Sequence, residues 1–280
     1  MTMSLMPKLS TILLLSASLF GATDAEVVSF LKKGIGGNPN VTNLQIEVNG
    51  KKNLAAVSGW QAYFVTIEAD VKQGSETRRI NQNGTYFVNG NIIAPELVNL
   101  KTGERYNDIV APDFNNAFYT AANRISGDAN ATHKIAIFSD PLCPFCRRYV
   151  PEALSYMEKF PKTFAVYYYH FPLSGLHPAA VTLTKAAIAA EQNGTKDAVL
   201  KLYNVDINAN EKDEQKILNA FNKTFGTKIG VNDIRRSSVV KQFEFDQQVA
   251  QTMMVAGTPT VFFNGQKDTS KNKYKEIKVK

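Results

Sequence analysis

The sequence contains few cysteines and few histidines. Its 280 residues include two cysteines, which form one C-x-x-C at Cys143 and Cys146. A pair this close would shut only a tiny loop, so a structural disulfide framework is excluded. There is no second C-x-x-C, and the three histidines, His133, His170 and His177, are scattered, so no zinc-ligand pattern is present. The pair is better explained by redox chemistry than as half of a metal site, and we expect no metal.

The chain also lacks a strong charge bias and long apolar runs. Lys and Arg number 32 and Asp and Glu 25, for a formal net charge of +7. With no dense basic block in the body of the chain, this balance predicts no nucleic-acid binding. The locally basic segment 267–280 is typical of a solvated tail or edge strand. Beyond the N-terminal segment, no run approaches the length of a membrane span.

The N-terminus has the pattern of a secretory signal. Lys8 precedes an apolar stretch at 9–20, and Thr23 and Ala25 fit the −3 and −1 positions of a cleavage site. The stretch is too short to span the hydrocarbon core as a helix. Residues 1–25 are therefore predicted to be a signal peptide, with an uncleaved anchor or a buried helix as the alternatives.

Residues 26–106 are predicted to form a small α+β domain dominated by an antiparallel sheet. A short helix is expected from Ala25, with Asp24 as its N-cap, followed by strands between about 42 and 106. Asn49-Gly50 and Asn89-Gly90 are typical of tight hairpin turns. Residues 107–130 are expected to be a linker helix, because apolar residues recur near helical spacing over 111–126.

Residues 131–280 are predicted to form a second domain in the order strand, helix, strand, helices, strand, strand. The expected strands are 135–138, 163–169, 260–263 and 271–279, with helices at 143–160, 178–192, 195–204, 211–225 and 232–255. Asn264-Gly265 is typical of the turn between the last two strands. Pro151 falls inside the first helix and predicts a kink.

The Cys143-Pro144-Phe145-Cys146 segment carries the predicted chemistry. A strand-to-helix junction places Cys143 at a helix N-terminus, where unpaired N–H groups and the helix dipole favour a thiolate. Cys146 lies one turn further on and is expected to be more buried, where it would resolve a mixed disulfide. Pro144 suits the first turn because its missing N–H is not needed there. Phe145 adds no charge, which predicts a moderate redox potential.

The polar residues near this segment leave alternatives open. Asp140 is either a turn or N-cap residue or a group that tunes the thiolate. His170 and His177 are either strand-end and loop residues or groups that approach Cys143. Arg147 and Arg148 are either solvated or close enough to lower the pKa of Cys143.

Two segments resemble known signatures. Residues 139–151, SDPLCPFCRRYVP, resemble the active-site segment of thioredoxin-fold proteins, and residues 257–260, GTPT, resemble their cis-proline loop. The helical insertion between the second strand and this loop, together with the strand-rich N-terminal domain, is similar to the DsbC/DsbG group of periplasmic disulfide isomerases. The specific motifs are confined to these two segments.

The resemblance implies an N-terminal strand-rich dimerisation domain, a linker helix and a C-terminal thioredoxin fold with a helical insertion. It implies that Cys143 attacks, that Cys146 resolves, and that a substrate peptide contacts Pro144, Phe145, Thr258 and Pro259. No cofactor beyond the dithiol is implied. The implied partners are a second copy of the chain, unfolded or misoxidised exported proteins, and a membrane thiol-redox partner, all in the periplasm.

The sequence departs from that group in two respects. It has no extra structural cysteines, and only about fifteen residues follow Asn264-Gly265, so the C-terminal helix typical of the fold is not expected. Pro-Phe between the cysteines also occurs in DsbA-like oxidases, so the direction of exchange stays open. A dimeric holdase chaperone is the alternative from a different class.

Overall fold

The structure is a computed structural model that describes residues 22–279. The predicted signal peptide therefore lies outside the described residues, except for its last four. None of the helices at 22–279 has both the length and the apolar character needed to cross a membrane.

The N-terminal part is one helix on a four-stranded antiparallel sheet of order β1-β2-β3-β4. Its elements are α1 (Asp24–Gly36), β1 (Val41–Asn53), β2 (Gln61–Gln73), β3 (Glu76–Asn89) and β4 (Ile92–Ala94). Val27 and Leu31 of α1 are buried against Tyr63 and Val65 of the sheet. The helix begins one residue earlier than predicted, because Thr23 rather than Asp24 is the N-cap and forms a capping box with Glu26.

One of the two hairpin predictions in this domain is wrong. Asn89-Gly90 does turn the chain, since Asn89 pairs with Ile92 across it. Asn49-Gly50, in contrast, lies inside β1, where the pairing shifts register between Val48 and Gly50 and then continues along β2. The long β2 partner outweighs the local turn preference, and the dipeptide becomes a bulge instead.

The predicted linker helix is also wrong. Over 107–130 the structure has the end of a one-turn helix, α2 (Tyr106–Ile109), a 3-10 turn at Asn116–Phe118, and a short strand, β5 (Arg124–Ser126). Phe114 is buried between Phe138 and Phe262 of the second domain, and its N–H donates to the Gly265 carbonyl at 2.8 Å. These contacts fix the segment in an extended form along the second domain, so its apolar spacing does not require a helix.

The second domain is built on a five-stranded mixed sheet of order β5-β7-β6-β8-β9. Its strands after β5 are β6 (His133–Ser139), β7 (Phe164–His170), β8 (Thr260–Phe263) and β9 (Gln266–Lys267). Its helices are α3 (Pro144–Met157), α4 (Ala179–Gln192), α5 (Ala198–Leu202), α6 (Glu214–Phe225), α7 (Val231–Ile234), α8 (Ser237–Thr252) and α9 (Lys273–Glu276). β6 is parallel to β7 and antiparallel to β8.

Most predicted elements of this domain are confirmed, with two corrections. The helix predicted over 232–255 is two helices, α7 and α8. The strand predicted over 271–279 is wrong. Asn264-Gly265 joins β8 to β9 instead, and the one-turn helix α9 follows. The Asp268 carboxylate accepts from the Lys273 N–H at 3.0 Å, and Tyr274 is buried against the sheet side that α3 covers.

The two faces of this sheet are covered by different elements. One face packs against α3 and buries Cys146 together with Ile137, Val166 and Tyr168. The other face packs against α8 and the 111–119 segment. The inserted helices α4, α6 and α7 share a separate core. Because the side chains of a strand alternate between faces, successive residues of β7 enter two different environments.

Gly127 is required because its backbone lies directly against the backbone of Phe164. Its φ is +78°, and a Cβ there would lie 1.8 Å from the Phe164 carbonyl oxygen. Gly127→Ala should lower the free energy of unfolding by more than about 3 kcal/mol in urea titrations, since strain and overlap add. Gly194→Ala is the matched control, because φ is +89° but the space around it is open; it should cost about 1 kcal/mol. Equal effects of the two substitutions would contradict the assigned contact.

Candidate active site

Cys143 lies where β6 gives way to α3, as the sequence predicts. It is the N-cap residue of α3, and Pro144 occupies the first helical position. The helix N-terminus places unpaired N–H groups and the positive end of the helix dipole near its sulfur. Its Sγ lies 3.6 Å from the Thr258 carbonyl oxygen, and 5% of the residue surface is exposed. Cys143 therefore lies at a helix N-terminus, largely buried beside a loop from a distant part of the chain.

Cys146 differs from Cys143 in its burial. Both are free thiols, but Cys146 has no exposed surface. Burial raises the pKa of Cys146 to about 11. Cys146 therefore carries its proton at neutral pH. This difference supports the predicted division of roles, in which only Cys143 meets a substrate.

The loop before β8 brings a second chain segment to the cysteines. The Thr258–Pro259 peptide bond is cis, as the resemblance implies. The Thr258 carbonyl faces Cys143, and its hydroxyl is buried without a hydrogen-bond partner among the residues at 22–279. Thr258 thus contacts Cys143 across more than a hundred residues of sequence.

Two large apolar side chains are exposed on α3 and on the loop after β7. Phe145 is 62% exposed and Leu176, on the loop after β7, is 67% exposed. The Arg148 guanidinium lies over the Phe145 ring at 5.7 Å. Arg147 is not simply solvated, since its guanidinium donates to the carbonyls of Pro141 and Val205. Exposed aromatic and aliphatic side chains beside a reactive thiol favour contact with unfolded chain segments.

Asp140 is fully buried and holds the active-site turn together. Its Oδ1 accepts from the N–H groups of Leu142 at 2.7 Å and Cys143 at 3.2 Å. Its Oδ2 accepts from the Leu173 N–H at 2.7 Å and lies 2.9 Å from Nδ1 of His177. Asp140 thus has the turn role that the sequence allowed. Its second carboxyl oxygen also holds the loop that carries Leu176. His177 is brought to this carboxylate, a placement that the sequence left open.

His170 lies apart from this carboxylate. The residue is buried at the end of β7, where its N–H donates to the Asp246 carboxylate at 3.0 Å. Nδ1 of its ring is without a hydrogen-bond partner in the described part of the chain. Burial lowers the pKa of His170 to about 3 and raises the pKa of Asp246 to about 7. The His170 ring is therefore neutral at neutral pH, and the Asp246 carboxyl group keeps its proton to a higher pH than an exposed aspartate does.

Sequence reasoning missed three polar residues near Cys146. Ser139 and Tyr203 are buried and share a hydrogen bond of 2.6 Å, and Tyr168 bonds to Tyr203 at 2.7 Å. The run Tyr167-Tyr168-Tyr169 did not predict that one tyrosine would lie near Cys146. Only Tyr168 lies on the sheet face that packs against α3, and the run of three identical residues does not show which one that is. Asp246 was missed as well, since a lone acidic residue in a predicted helix is usually solvated.

The fold and the site together define a thioredoxin-like protein, and comparison with known families agrees. A family model described as thioredoxin matches residues 120–279, more than half of the chain. The chain therefore belongs to the thioredoxin family. The match begins before β5 and includes both cysteines and the cis-proline loop, while the N-terminal sheet lies outside it. No curated protein is significantly similar to the chain in sequence.

Several solved structures are similar to part of the chain at low identity. A thioredoxin-like oxidoreductase from Silicibacter pomeroyi is 21% identical over 54% of this chain and 84% of its own, with a TM-score of 0.43. BdbD from Bacillus subtilis is 18% identical over 61% and 95%, with a TM-score of 0.47. ScsC from Proteus mirabilis is 19% identical over 54% and 74%, with a TM-score of 0.44. At these identities and scores the likenesses say nothing about the reaction of this chain.

The hydrogen bonds of Asp140 predict a large effect of a small substitution. Asp140→Asn replaces one acceptor oxygen by an NH₂ group that faces N–H donors, so the free energy of unfolding should fall by about 3 kcal/mol or more. Urea unfolding measures the change, and Asp206→Asn, at an exposed aspartate, is the matched control. If Asp140→Asn is as stable as that control, the carboxylate does not organise the turn.

The buried neutral His170 predicts a pH dependence of stability. Its pKa is about 3 in the folded chain against an ordinary 6.5, so below pH 6.5 the unfolded chain binds a proton that the folded chain refuses. The contribution of His170 to stability should therefore fall by about 1.4 kcal/mol for each pH unit below that point. His170→Gln should remove this slope relative to wild type, with the opposing contribution of Asp246 present in both proteins.

Urea unfolding between pH 4 and 7 checks this expectation. His133→Gln, the same change near the surface, should leave the wild-type slope in place. Parallel curves for wild type and His170→Gln would show that His170 takes up a proton in the folded chain.

Proposed function

We propose that the chain is an exported thiol:disulfide oxidoreductase that isomerises or reduces non-native disulfides in client proteins. The observation that carries the proposal is the paired geometry of the two thiols. Cys143 caps α3 beside the Thr258 carbonyl, and the fully buried Cys146 lies one turn further along the same helix. This arrangement supplies one thiol at a helix N-terminus, with 5% of the residue surface exposed, and a second thiol with none, the two groups that disulfide exchange needs.

The exchange follows from these positions. The Cys143 thiolate attacks one sulfur of a client disulfide, and the other client sulfur leaves as a thiolate. The client thiolate then attacks another disulfide of the client and releases a new client thiolate. That thiolate attacks the client sulfur bonded to Cys143, so a new client disulfide forms and Cys143 leaves as a thiolate. In the reductive branch, Cys146 attacks Cys143 instead, a Cys143–Cys146 disulfide forms, and the client leaves reduced. The Asp140 carboxylate positions the Cys143 N–H but exchanges nothing with substrate.

Client binding is proposed on the surface formed by Phe145, Leu176 and the Thr258–Pro259 loop. Phe145 and Leu176 present apolar surface there, and the Thr258–Pro259 loop offers backbone groups beside the sulfur. Pro144 fixes the first turn between the cysteines. These contacts are sequence-tolerant, which suits an enzyme acting on many unfolded or misoxidised exported proteins. No cofactor beyond the Cys143–Cys146 pair enters the proposed exchange.

The proposed setting is the periplasm, with the signal-like residues 1–25 as its support. A homodimer through the 26–106 domain is proposed as in the DsbC/DsbG group. Phe30 and Ile92 are exposed there and line one cavity together. A membrane thiol-redox partner would keep the dithiol reduced.

The alternative direction is a DsbA-like oxidase, which would hold Cys143–Cys146 as a disulfide and pass it to clients. Equilibrium with a glutathione buffer decides between the two directions. A reducing potential favours reduction or isomerisation, and a strongly oxidising one favours the oxidase.

Separate cysteine substitutions test the proposal. Cys143→Ser should abolish the reactivation of a scrambled, disulfide-containing substrate. Cys146→Ser should instead accumulate a mixed disulfide with the client, because the resolving thiol is gone. Non-reducing electrophoresis detects that adduct, and a reductant should release it. Each variant serves as the control for the other, since both change one thiol and should leave urea unfolding nearly unchanged.

Turnover by Cys143→Ser would contradict the proposal. A holdase chaperone, the remaining alternative, would keep clients from aggregating even when both cysteines are replaced.

A further inference from the structure

The loop that joins α8 to β8 is attached to the N-terminal domain as well as to its own domain. This α8–β8 loop comprises residues 253–259. Its Thr258 carbonyl oxygen lies 3.6 Å from the Cys143 sulfur, and client contacts are proposed at Thr258 and Pro259. The position of the loop therefore bears directly on the proposed exchange.

Two consecutive methionines of the α8–β8 loop enter the cores of two different domains. Met253 is buried in the cluster that also contains Phe262 of the second domain. Met254 packs instead against a cluster of the N-terminal domain, whose buried members are Leu54, Ala62, Phe64, Phe87 and Tyr106. Of the loop residues, Met254 is the one that reaches this cluster. Its side chain thus ties the loop to the sheet of the other domain.

The backbone conformation of Met254 indicates that its side chain is needed. Its φ is +56°, in the left-handed region where glycine is the favoured residue. Other residues persist in that region only where the surrounding structure holds them. Here the Met254 N–H donates to the Gln251 carbonyl at 3.0 Å, and the side chain packs in the N-terminal cluster. The packing of this side chain therefore outweighs the cost of the conformation.

Two hydrogen bonds beside Met254 join the same two domains. Nδ2 of Asn83, on β3, donates to the Gln251 carbonyl at 2.6 Å. Nε2 of Gln251 donates to Oδ1 of Asn81, also on β3, at 2.7 Å. Gln251 belongs to the last turn of α8, just before the loop. The N-terminal sheet thus holds both the end of α8 and the start of the loop.

Beyond Met254, the loop borders open space. Val255 and Ala256 line a cavity of ≈ 540 Å³, which Thr85 and Tyr86 of β3 also line. A cavity supplies no packing contacts to the residues that line it. The contacts of Met254 and Gln251 are therefore what hold the loop on this side.

We infer that Met254 is a positioning residue, which acts through the α8–β8 loop to hold the Thr258 carbonyl beside Cys143. The inference rests on the proposed function, in which client chains contact Thr258 and Pro259. Without the tie, a client has to order the loop as it binds, and this cost weakens client binding. The reactivity of the Cys143 sulfur toward a small disulfide does not depend on that ordering. The N-terminal domain then has a role in client binding besides the proposed dimerisation.

Two reagents with the same leaving group separate client binding from thiol reactivity. One is dithionitrobenzoate, and the other is a short unfolded peptide whose single cysteine is bonded to thionitrobenzoate. In both reactions the Cys143 thiolate attacks the disulfide, a disulfide to Cys143 forms, and coloured thionitrobenzoate leaves with the electron pair. Stopped-flow absorbance with the reduced full-length protein gives the maximal rate and the half-saturating peptide concentration.

Met254→Ala should raise the half-saturating peptide concentration by roughly fivefold, because the client must then order the loop. The maximal rate and the reaction with dithionitrobenzoate should stay within about twofold of wild type, since a loss of uniform binding changes KM alone. Met254→Leu conserves the side-chain volume and should bind the peptide as wild type does. Asn83→Ala should reproduce the effect of Met254→Ala, because it removes the donor to the Gln251 carbonyl.

Asn49→Ala is the matched control for Asn83→Ala. Both asparagine side chains hydrogen-bond to Thr66 within the N-terminal sheet, but of the two only Asn83 also donates to Gln251. Asn49→Ala should therefore bind the peptide as wild type does. An equal loss of binding in Asn49→Ala would mark a general loosening of the sheet and overturn the inference. An equal loss in the reaction of Met254→Ala with dithionitrobenzoate would overturn it too, because the thiol site itself would then be disturbed.

The positioning role and the proposed function fail in different ways. Unchanged peptide binding in both Met254→Ala and Asn83→Ala would overturn the positioning role and leave the exchange intact. Failure of the wild-type protein to release thionitrobenzoate from either reagent would overturn the proposed function itself. If Met254→Ala does not fold, the comparison of Asn83→Ala with Asn49→Ala still decides the question.

Discussion

The buried Asp140 carboxylate is the interaction on which the active-site geometry depends. A fully buried carboxylate needs donors for its oxygens, and this one takes them from the turn before α3 and from the loop after β7. The turn places Cys143 at the helix N-terminus, and the loop carries the exposed Leu176. Satisfying the two oxygens of one buried carboxyl group thus fixes both the turn that carries Cys143 and the loop that carries Leu176.

A difference in burial then separates two chemically identical thiols. Cys143 has a small exposed surface and Cys146 has none. Cys143 is the N-cap of α3, and one turn further along the helix Cys146 lies in the core between α3 and the sheet. The Cys146 thiol keeps its proton at neutral pH because it is buried. Cys143 lies at the positive end of the α3 helix dipole. The hydroxyls of Ser139, Tyr203 and Tyr168 lie on the enclosed side, where direct contact with solvent is missing.

Local sequence was a good guide wherever a few neighbouring residues decide the conformation. The C-x-x-C spacing, Pro144 in the first turn and the apolar β6 segment predicted the strand-to-helix junction, and the structure has it. It was a poor guide at Asn49-Gly50 and over 107–130. There, pairing with β2 and the burial of Phe114 outweigh the local turn and helix preferences.

The sequence by itself determined where the thiol chemistry lies: one cysteine pair at the junction between a predicted strand and a predicted helix. Only the tertiary structure decided what surrounds those atoms. Thr258 and Tyr203 approach the cysteines from segments far apart in the chain, and no periodicity encodes such contacts. Chain spacing specifies a helix or a turn through short-range hydrogen bonds, whereas burial and long-range pairing depend on how all the elements pack.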